Sequence, residues 1–316
     1  MKRVTLADIA KKCGVSVNTV SHALKDKPDI SKKTTERIKK TAEKMGYIQN
    51  ASASFLRSGF SKSIAIIVGD ISNPHFSMII KEMEQAAREE GYTCFVLNTD
   101  ENESLEKEAI IAAIGKNVDG IVICPTQNSA NNIEFLKKSG VPFTLIGRRF
   151  ENLETNYVVC DDENGGYLAA KYIVEQGGKK IAVINGETAI SSAKERLLGI
   201  EKYFKEKNIP LKKQDIYTIK VGNFDNSEML RQIASKDYDS AICFSDVIAL
   251  EFLCFAKKDM KTVSFDHIRS KFAMPIDFQS ITSSKTKMSN IAVDIILKAI
   301  KGDDEIKKVV LPTKLS

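Results

Sequence analysis

Hydrophobic residues keep one rhythm up to about residue 60 and another from Ser63 onward. In the first stretch Ile9, Ala10, Val15, Val20 and Leu24 recur at the spacing of a helical core face, which predicts two short helices. Gly14 stands between them, where a tight turn needs a residue free to take positive φ, and Ser16 is a good N-cap for the second. The pair reads as a helix-turn-helix. Val20 and Leu24 point inward from the second helix, so Val17, Asn18, Ser21 and His22 are expected together on its outer face. A small, hydrogen-bonding face suits the major groove of DNA, where asparagine pairs bidentately with adenine and valine touches a thymine methyl. An ordinary amphipathic helical hairpin has the same pattern, so the motif alone favours DNA only modestly. Pro28 to Ser31 make a turn and N-cap for a basic helix from about Lys32 to Met45, with Ile38, Ala42 and Met45 as its core stripe and Gly46 as its stop. Tyr47 to Gly59 is small and polar around Phe55 and Leu56, a linker whose helix would be marginal in isolation.

Beyond it, short β-branched runs alternate with amphipathic helices. Strands are predicted at 64–68, 93–97, 120–124, 143–146 and 157–160, with helices at 76–90, 104–114 and 132–138 between them. The pattern then restarts, with helices at 165–175, 193–207, 227–234 and 247–256 and strands at 181–184, 216–221, 241–244 and 262–265; a helix at 290–300 and a strand at 309–311 finish it. Continuous apolar strands separated by helices imply parallel sheets covered on both faces. The fold class expected is therefore α/β: a small all-α headpiece plus two doubly wound parallel-sheet subdomains. In such sheets ligands collect at the carboxyl ends of the strands, and a cleft between two lobes suits a small molecule.

Charge sharpens this division. The 316 residues carry a net +6, but residues 1–60 hold 13 Lys/Arg against 5 Asp/Glu, or +8, leaving −2 for the remainder. A basic head on a near-neutral body is the footprint of phosphate-backbone binding; a solvated lysine face is the plainer alternative, but does not explain why the bias stops with the helix-turn-helix module. No stretch approaches a membrane span and no apolar run follows Lys2 and Arg3, so a cytoplasmic protein without signal peptide or anchor is expected. Six scattered cysteines without a C-x-x-C pair read as buried reduced thiols, and no metal site or cofactor is expected.

In order and spacing, Val4-Thr-Leu-Ala-Asp-Ile-Ala, Gly14-Val-Ser-Val-Asn-Thr-Val-Ser-His22, Asn73-Pro-His-Phe76, Asp161-Asp-Glu-Asn-Gly-Gly, Ser192-Ala-Lys-Glu-Arg-Leu-Leu-Gly199, Ser245-Asp246 and Phe265-Asp-His-Ile268 resemble the LacI family of transcription repressors, from Val4 to about Leu315. The resemblance implies a headpiece over 1–46, a hinge over 47–60 and a periplasmic-binding-protein-like effector and dimerisation domain over 61–316. Its N-subdomain would span about 61–160 plus 283–306, and its C-subdomain about 161–282. A homodimer on a near-palindromic operator is implied, with a small-molecule effector in the cleft. Carried over by position, Val17, Asn18 and His22 would face base edges, and Thr5, Ser16, Thr19, Ser21, Ser31, Thr34 and Tyr47 would contact phosphates. Asn50, Ala53 and Leu56 would enter the minor groove, Leu56 as the wedge. For the effector, the matched positions are His75, Phe76, Arg148, Arg196, Phe224, Ser245, Asp246 and Asp266. Ligand roles are favoured for Arg196 and Asp266; Phe76 and Phe224 read equally as core, Asp246 as a helix cap. Adjacent Arg148 and Arg149 should point to opposite sides.

The chain departs from the family pattern in places. Gln49 replaces the usual hinge proline, Ser245 a frequent asparagine, and the connection from Phe255 to Thr262 is short. The sequence ends without a leucine heptad tail, so a dimer rather than a tetramer is expected. The function expected is a DNA-binding repressor controlled by a sugar or sugar derivative. Alternatives are a phosphorylated protein co-regulator, a purine or nucleoside effector, or a cytosolic solute-binding protein. No G-x-G-x-x-G, P-loop, G-x-S-x-G or metal spacing is present, so an enzyme is not expected.

Overall fold

Residues 4–48, 59–222, 225–268 and 278–316 are described by a computed structural model, and the chain divides into two units, Met1–Ser61 and Lys62–Ser316. The first holds helices α1 (Leu6–Cys13), α2 (Val17–Ala23) and α3 (Lys32–Lys44). Thr5 starts α1 through a capping box with Asp8, and Gly14 stops it at φ 66, so two of the orphan groups at its N-terminus are satisfied locally. Ser16 and Ser31 cap α2 and α3 in the same way, each accepting a backbone N–H three residues on. Ile9, Ala10, Val20, Ala23, Ile38 and Ala42 close the core between the helices. Ser21 is also buried rather than on the outer face, because the buried side of α2 is wider than the Val20 and Leu24 stripe. The hinge candidates Asn50, Ala53 and Leu56 lie outside the described residues.

The second unit carries two six-stranded sheets. The first uses β1 (Ser63–Val68), β2 (Thr93–Asn98), β3 (Gly120–Ile123), β4 (Phe143–Ile146), β5 (Tyr157–Cys160) and β11 (Lys308–Leu311), in the order 11-5-4-3-1-2 and all parallel. The second uses β6 (Ile181–Gly186), β7 (Ile216–Ile219), β8 (Ser240–Cys243), β9 (Lys261–Phe265), β10 (Gln279–Thr282) and β12 (Lys314–Leu315), in the order 12-10-9-8-6-7, with only β12 antiparallel. The alternation of side chains along a strand splits each apolar run between two cores. Ile64, Ile66 and Val68 of β1 face one and Ala65 and Ile67 the other; Ala182 and Ile184 of β6 part from Ile181 and Val183 likewise. Strands β10 and β12 were not expected from the sequence: Gln-Ser-Ile-Thr is half polar, and β12 is two residues at an edge.

Helices α4 (Pro74–Glu89), α5 (Glu103–Gly115), α6 (Asn131–Ser139) and α11 (Lys285–Ile300) belong with the first sheet. Helices α7 (Asp162–Glu175), α8 (Ser191–Glu206), α9 (Ser227–Ala234) and α10 (Asp246–Leu253) belong with the second. The chain therefore passes between lobes after Cys160, between Thr282 and Lys285, and between Leu311 and Lys314. No helix among the described residues is long and apolar enough to cross a membrane. The six cysteines are free thiols; Cys124 and Cys243 are buried, but Cys254 is exposed, against expectation, because it sits at the end of α10 with its thiol on the Leu250 carbonyl.

One contact sets the geometry of the second lobe. A Cβ on Gly166 of α7 would lie 2.0 Å from the Arg196 carbonyl oxygen, and one on Gly199 of α8 would lie 1.8 Å from that of Glu163. The two helices touch backbone to backbone, which only glycine allows. Gly199→Ala should accordingly cost about 1–3 kcal/mol or more. Gly115→Ala, where an added methyl meets nothing within 4 Å, should instead gain about 0.5–1 kcal/mol. Urea midpoints of the two variants, moving in opposite directions, are the check.

Candidate functional site

In the headpiece, three of the residues expected on phosphates are the helix caps themselves. Thr5, Ser16 and Ser31 sit at the N-termini of α1, α2 and α3, and the Thr19 and Thr34 hydroxyls bond the caps of their own helices at 2.8 and 2.9 Å. Helix N-termini carry partial positive charge and spare N–H groups, which suits phosphate oxygens. Val17 is 47% exposed and Asn18 is exposed beside it. His22 is half-buried, with Nδ1 2.5 Å from the Asp29 carboxylate. Tyr47 packs against the headpiece core.

In the second unit a cavity of about 210 Å³ opens between the two sheets, an order of magnitude more than one water needs. The carboxyl ends of β1, β3 and β4 on one side and of β7, β8 and β9 on the other form its walls, where doubly wound sheets place ligands. Six of the positions read from the sequence line it: His75, Phe76, Arg148, Arg196, Ser245 and Asp266. Phe224 lies outside the described residues, and Asp246 stands behind the wall.

Arg196 is held from several sides. Its Nε donates to Asp162 at 2.8 Å, its Nη1 donates to the Phe244 carbonyl at 2.6 Å, and its guanidinium stacks on the Phe244 and Phe265 rings at 4.9 and 4.2 Å. Burial works against the charge, but Asp162 and Asp266 outweigh it and raise the pKa. Nη2 is left facing Asp266 at 3.8 Å. The α7 and α8 glycine contact is what brings Asp162, the first residue of α7, against this arginine. Asp162 and Phe244 were missed as site residues: a carboxylate in a helix first turn and an apolar strand end both have commoner explanations.

Asp266 has φ 96 and His267 φ 50, uncommon for side chains other than glycine. Strain of this kind persists only where the surroundings over-determine it. Here the Asp266 N–H donates to the Ile281 carbonyl and its own carbonyl accepts from the Lys285 ammonium. The next residues are pinned through Ser280 and Asp246: the His267 N–H donates to the Ser280 hydroxyl, and Asp246 accepts from Ser264, Ser280 and the Ile268 N–H at 2.5, 2.7 and 2.8 Å. Burial pushes the Asp246 carboxyl up to about 6. Asp246 is thus a brace for the turn that presents Asp266, and the N-cap of α10 is Ser245.

Arg148 and Arg149 do point apart. Arg148 is buried and clamps Glu101 through Nη1 and Nη2 at 2.6 and 2.7 Å, a partner with no sequence signal since it lies in a loop; burial disfavours its charge, but Glu101 raises its pKa. Arg149 reaches across to Glu195 of α8 at 2.9 Å. Beside it Gln127 accepts the Ser191 N–H at 2.7 Å and donates to the Arg149 carbonyl, so the N-terminus of α8, which lacks a side-chain cap of its own, is capped from the opposite lobe. His75 Nδ1 lies 3.4 Å from Asp266. Burial lowers its pKa from the ordinary 6.5 to about 4, with Asp266 opposing, so the imidazole is neutral at physiological pH.

A depressed His pKa means that stability present above 6.5 is lost as the pH falls toward 4, because the unfolded chain takes up a proton that folded His75 refuses. In His75→Asn that contribution should vanish. Urea unfolding across this window should show a shallower acid-side loss of stability in the variant than in wild type; parallel curves would contradict it.

The comparisons with known proteins agree with this fold. A family model described as "Periplasmic binding protein domain" matches residues 64–304, and one described as "Bacterial regulatory proteins, lacI family" matches residues 5–50. The HTH-type transcriptional repressor PurR of Actinobacillus pleuropneumoniae serotype 3 (strain JL03) is 27% identical over 311 residues, 95% of this chain and 92% of the relative. Among solved structures, the Lac repressor bound to ONPG in its repressed state superposes with a TM-score of 0.84 at 21% identity, covering 100% of this chain and 98% of that one. The complex of the transcriptional regulator CelR with cellobiose gives 0.72 at 21% identity, covering 99% and 98%. With a lacI-type helix-turn-helix head joined to a periplasmic-binding-protein domain, the chain belongs to the lacI family of bacterial regulatory proteins.

Proposed function

We propose that the protein is a sequence-specific transcription repressor, a homodimer on a near-palindromic operator, whose affinity for DNA is set by a neutral polyhydroxylated small molecule in the interlobe cavity. The observation that carries the effector half is the convergence in the cavity of Arg196 Nη2 and the Asp266 carboxylate from the second lobe with neutral His75 from the first. Aspartate accepts and arginine donates, so together they bracket vicinal hydroxyls through charge-assisted bonds, while Phe76 and Phe244 offer apolar ring faces. Among the described residues, three carboxylates on the lining, Asp70, Glu101 and Asp266, face three cations, Arg148, Arg196 and Lys220. That balance favours a neutral sugar of the size of cellobiose or smaller over a sugar phosphate. The regulatory reading is preferred to an enzymatic one because the cavity belongs to a chain headed by a lacI-type helix-turn-helix and similar along 95% of its length to a transcriptional repressor.

Ligand binding in the cleft acts on the head only through a difference in affinity for two lobe arrangements. The cross-lobe cap from Gln127 to Ser191 and the Arg149 to Glu195 pair are contacts that a change in lobe angle would make or break. For the DNA half, Val17, Asn18 and His22 read bases, and Thr5, Ser16, Thr19, Ser31 and Thr34 fix register on phosphates. Buried Ser21 is a support rather than a contact.

Full-length protein melted against a panel of mono- and disaccharides, sugar phosphates and nucleosides should be stabilised by neutral sugars, by roughly 2.7 kcal/mol at about a hundred times the dissociation constant. Asp266→Asn should abolish the shift; a hit that is indifferent to Asp266→Asn would remove the cavity from the proposal. Asn18→Ala should cost on the order of 1–3 kcal/mol on a selected operator and relax one base position, measured by fluorescence anisotropy on matched and mismatched duplexes.

A further inference from the structure

Glu101 lies in the loop between β2 and α5. It and the preceding Asp100 both take positive φ, 55 and 49, a conformation that costs energy for such side chains. The loop is held in that shape by the Thr99 N–H on the Val68 carbonyl, the Asn102 N–H on the Thr99 carbonyl and the Asn98 amide on the Asp100 carboxylate. What the strain delivers is a carboxylate in the cavity wall, its side chain only 8% exposed. Glycines from both lobes make its seat. A Cβ on Gly69, just after β1, would lie 2.1 Å from Glu101 Oε1, and one on Gly222, after β7, would lie 2.9 Å from its Cγ. Arg148 meets the carboxylate with Nη1 and Nη2, and Nη1 donates as well to the Pro125 carbonyl at 3.0 Å. The paired nitrogens of a guanidinium form the fork that otherwise takes two oxygens of a phosphate or a carboxylate. Here the chain itself fills the fork. Without the Glu101 charge, the described lining would hold two carboxylates against three cations, with the surplus charge at a bidentate donor.

We propose that Glu101 is a specificity-determining residue of the effector cavity: a carboxylate of the chain's own, seated on Arg148, that bars phosphorylated and acidic sugars and leaves the cavity to neutral ones. This deepens the proposed function and rests on its reading of the cavity as the effector site. Two effects act together. An incoming anion has to displace a buried bidentate ion pair, and breaking such a pair strands a charge away from water. It also has to approach the Glu101 charge that it displaces. A neutral polyol meets neither obstacle, and the carboxylate lone pairs that Arg148 leaves unused accept its hydroxyl hydrogens.

The test is thermal melting of full-length wild type, Glu101→Gln, Gly69→Ala and the double variant Glu101→Gln/Arg148→Met at constant ionic strength. Inorganic phosphate is the probe, with neutral mono- and disaccharides run beside it. Wild type should respond to phosphate only as far as its basic head does. In Glu101→Gln the Arg148 charge loses its partner, so the free variant should melt lower and phosphate should restore it, with a dissociation constant at least about tenfold below that of wild type. Removing Arg148 as well should abolish the gain. The head is the same in every variant, so its own response to phosphate cancels. Gly69→Ala keeps every charge but pushes the carboxylate off the fork, and should gain in the same direction by less; it decides the matter if Glu101→Gln does not fold with or without phosphate. A folded Glu101→Gln that responds to phosphate no more than wild type, or that responds equally with and without Arg148, overturns the proposal. Should phosphate behave as expected while no neutral sugar stabilises wild type, Glu101 stands as the barrier to anions and the neutral-sugar reading is what falls.

Discussion

A guanidinium taken out of water must find its charge and its donors answered inside the protein, and Arg196 is where this chain meets that demand. The answers come from separate parts of the second lobe: a carboxylate at the start of α7, a carbonyl and a ring at the end of β8, and a second ring at the end of β9. They converge only because α7 and α8 meet at glycines, backbone against backbone. What the arginine has left over, one nitrogen facing Asp266, is the part that a ligand can use. The site is thus the unspent remainder of an interaction that the lobe needs in order to fold.

The strained turn at Asp266 works in the same way. Its backbone is unfavourable by itself, and Asp246, buried and hydrogen-bonded three times, keeps it in place. The headpiece uses cheaper devices. Its helices begin on hydroxyl caps, and those same caps leave the positive ends of α1, α2 and α3 at the surface of a segment whose net charge is +8 over residues 1–60.

How much of this was legible in the sequence depended on whether a signal was periodic or singular. Buried strands such as Ile64 to Val68 and the α3 stripe of Ile38 and Ala42 repeat, and repetition marks them. The half-polar strand Gln279 to Thr282 does not repeat, and its pairing with β9 is a tertiary fact. Arg148 and Arg196 were found by position in a resembling pattern, but their partners Glu101 and Asp162 were not, since a carboxylate in a loop or a helix first turn is commonplace until the fold brings a cation to it. Ser21 failed for a related reason: on a helix of seven residues, one missed core contact changes which face is outside. Asp246 read from the sequence as either a ligand contact or a helix cap, and its three donors add a role as brace that no local pattern announces.

The path of the chain between lobes bears on how the protein is made. Met288, Ala292 and Ile296 of α11 fill the core beneath the first sheet, together with Ile64 and Ile66 from the start of that lobe. Between them in sequence lies almost the whole second lobe. During synthesis the first lobe emerges with that side of its sheet uncovered, and must wait for some 120 residues of another structure to pass before its own helix arrives (about 162–282). Domains on a nascent chain usually close in the order in which they appear. Here the lobe that starts first is completed only after nearly all of the other has been made, β12 alone coming later, and its apolar strands are the surface a chaperone would meet.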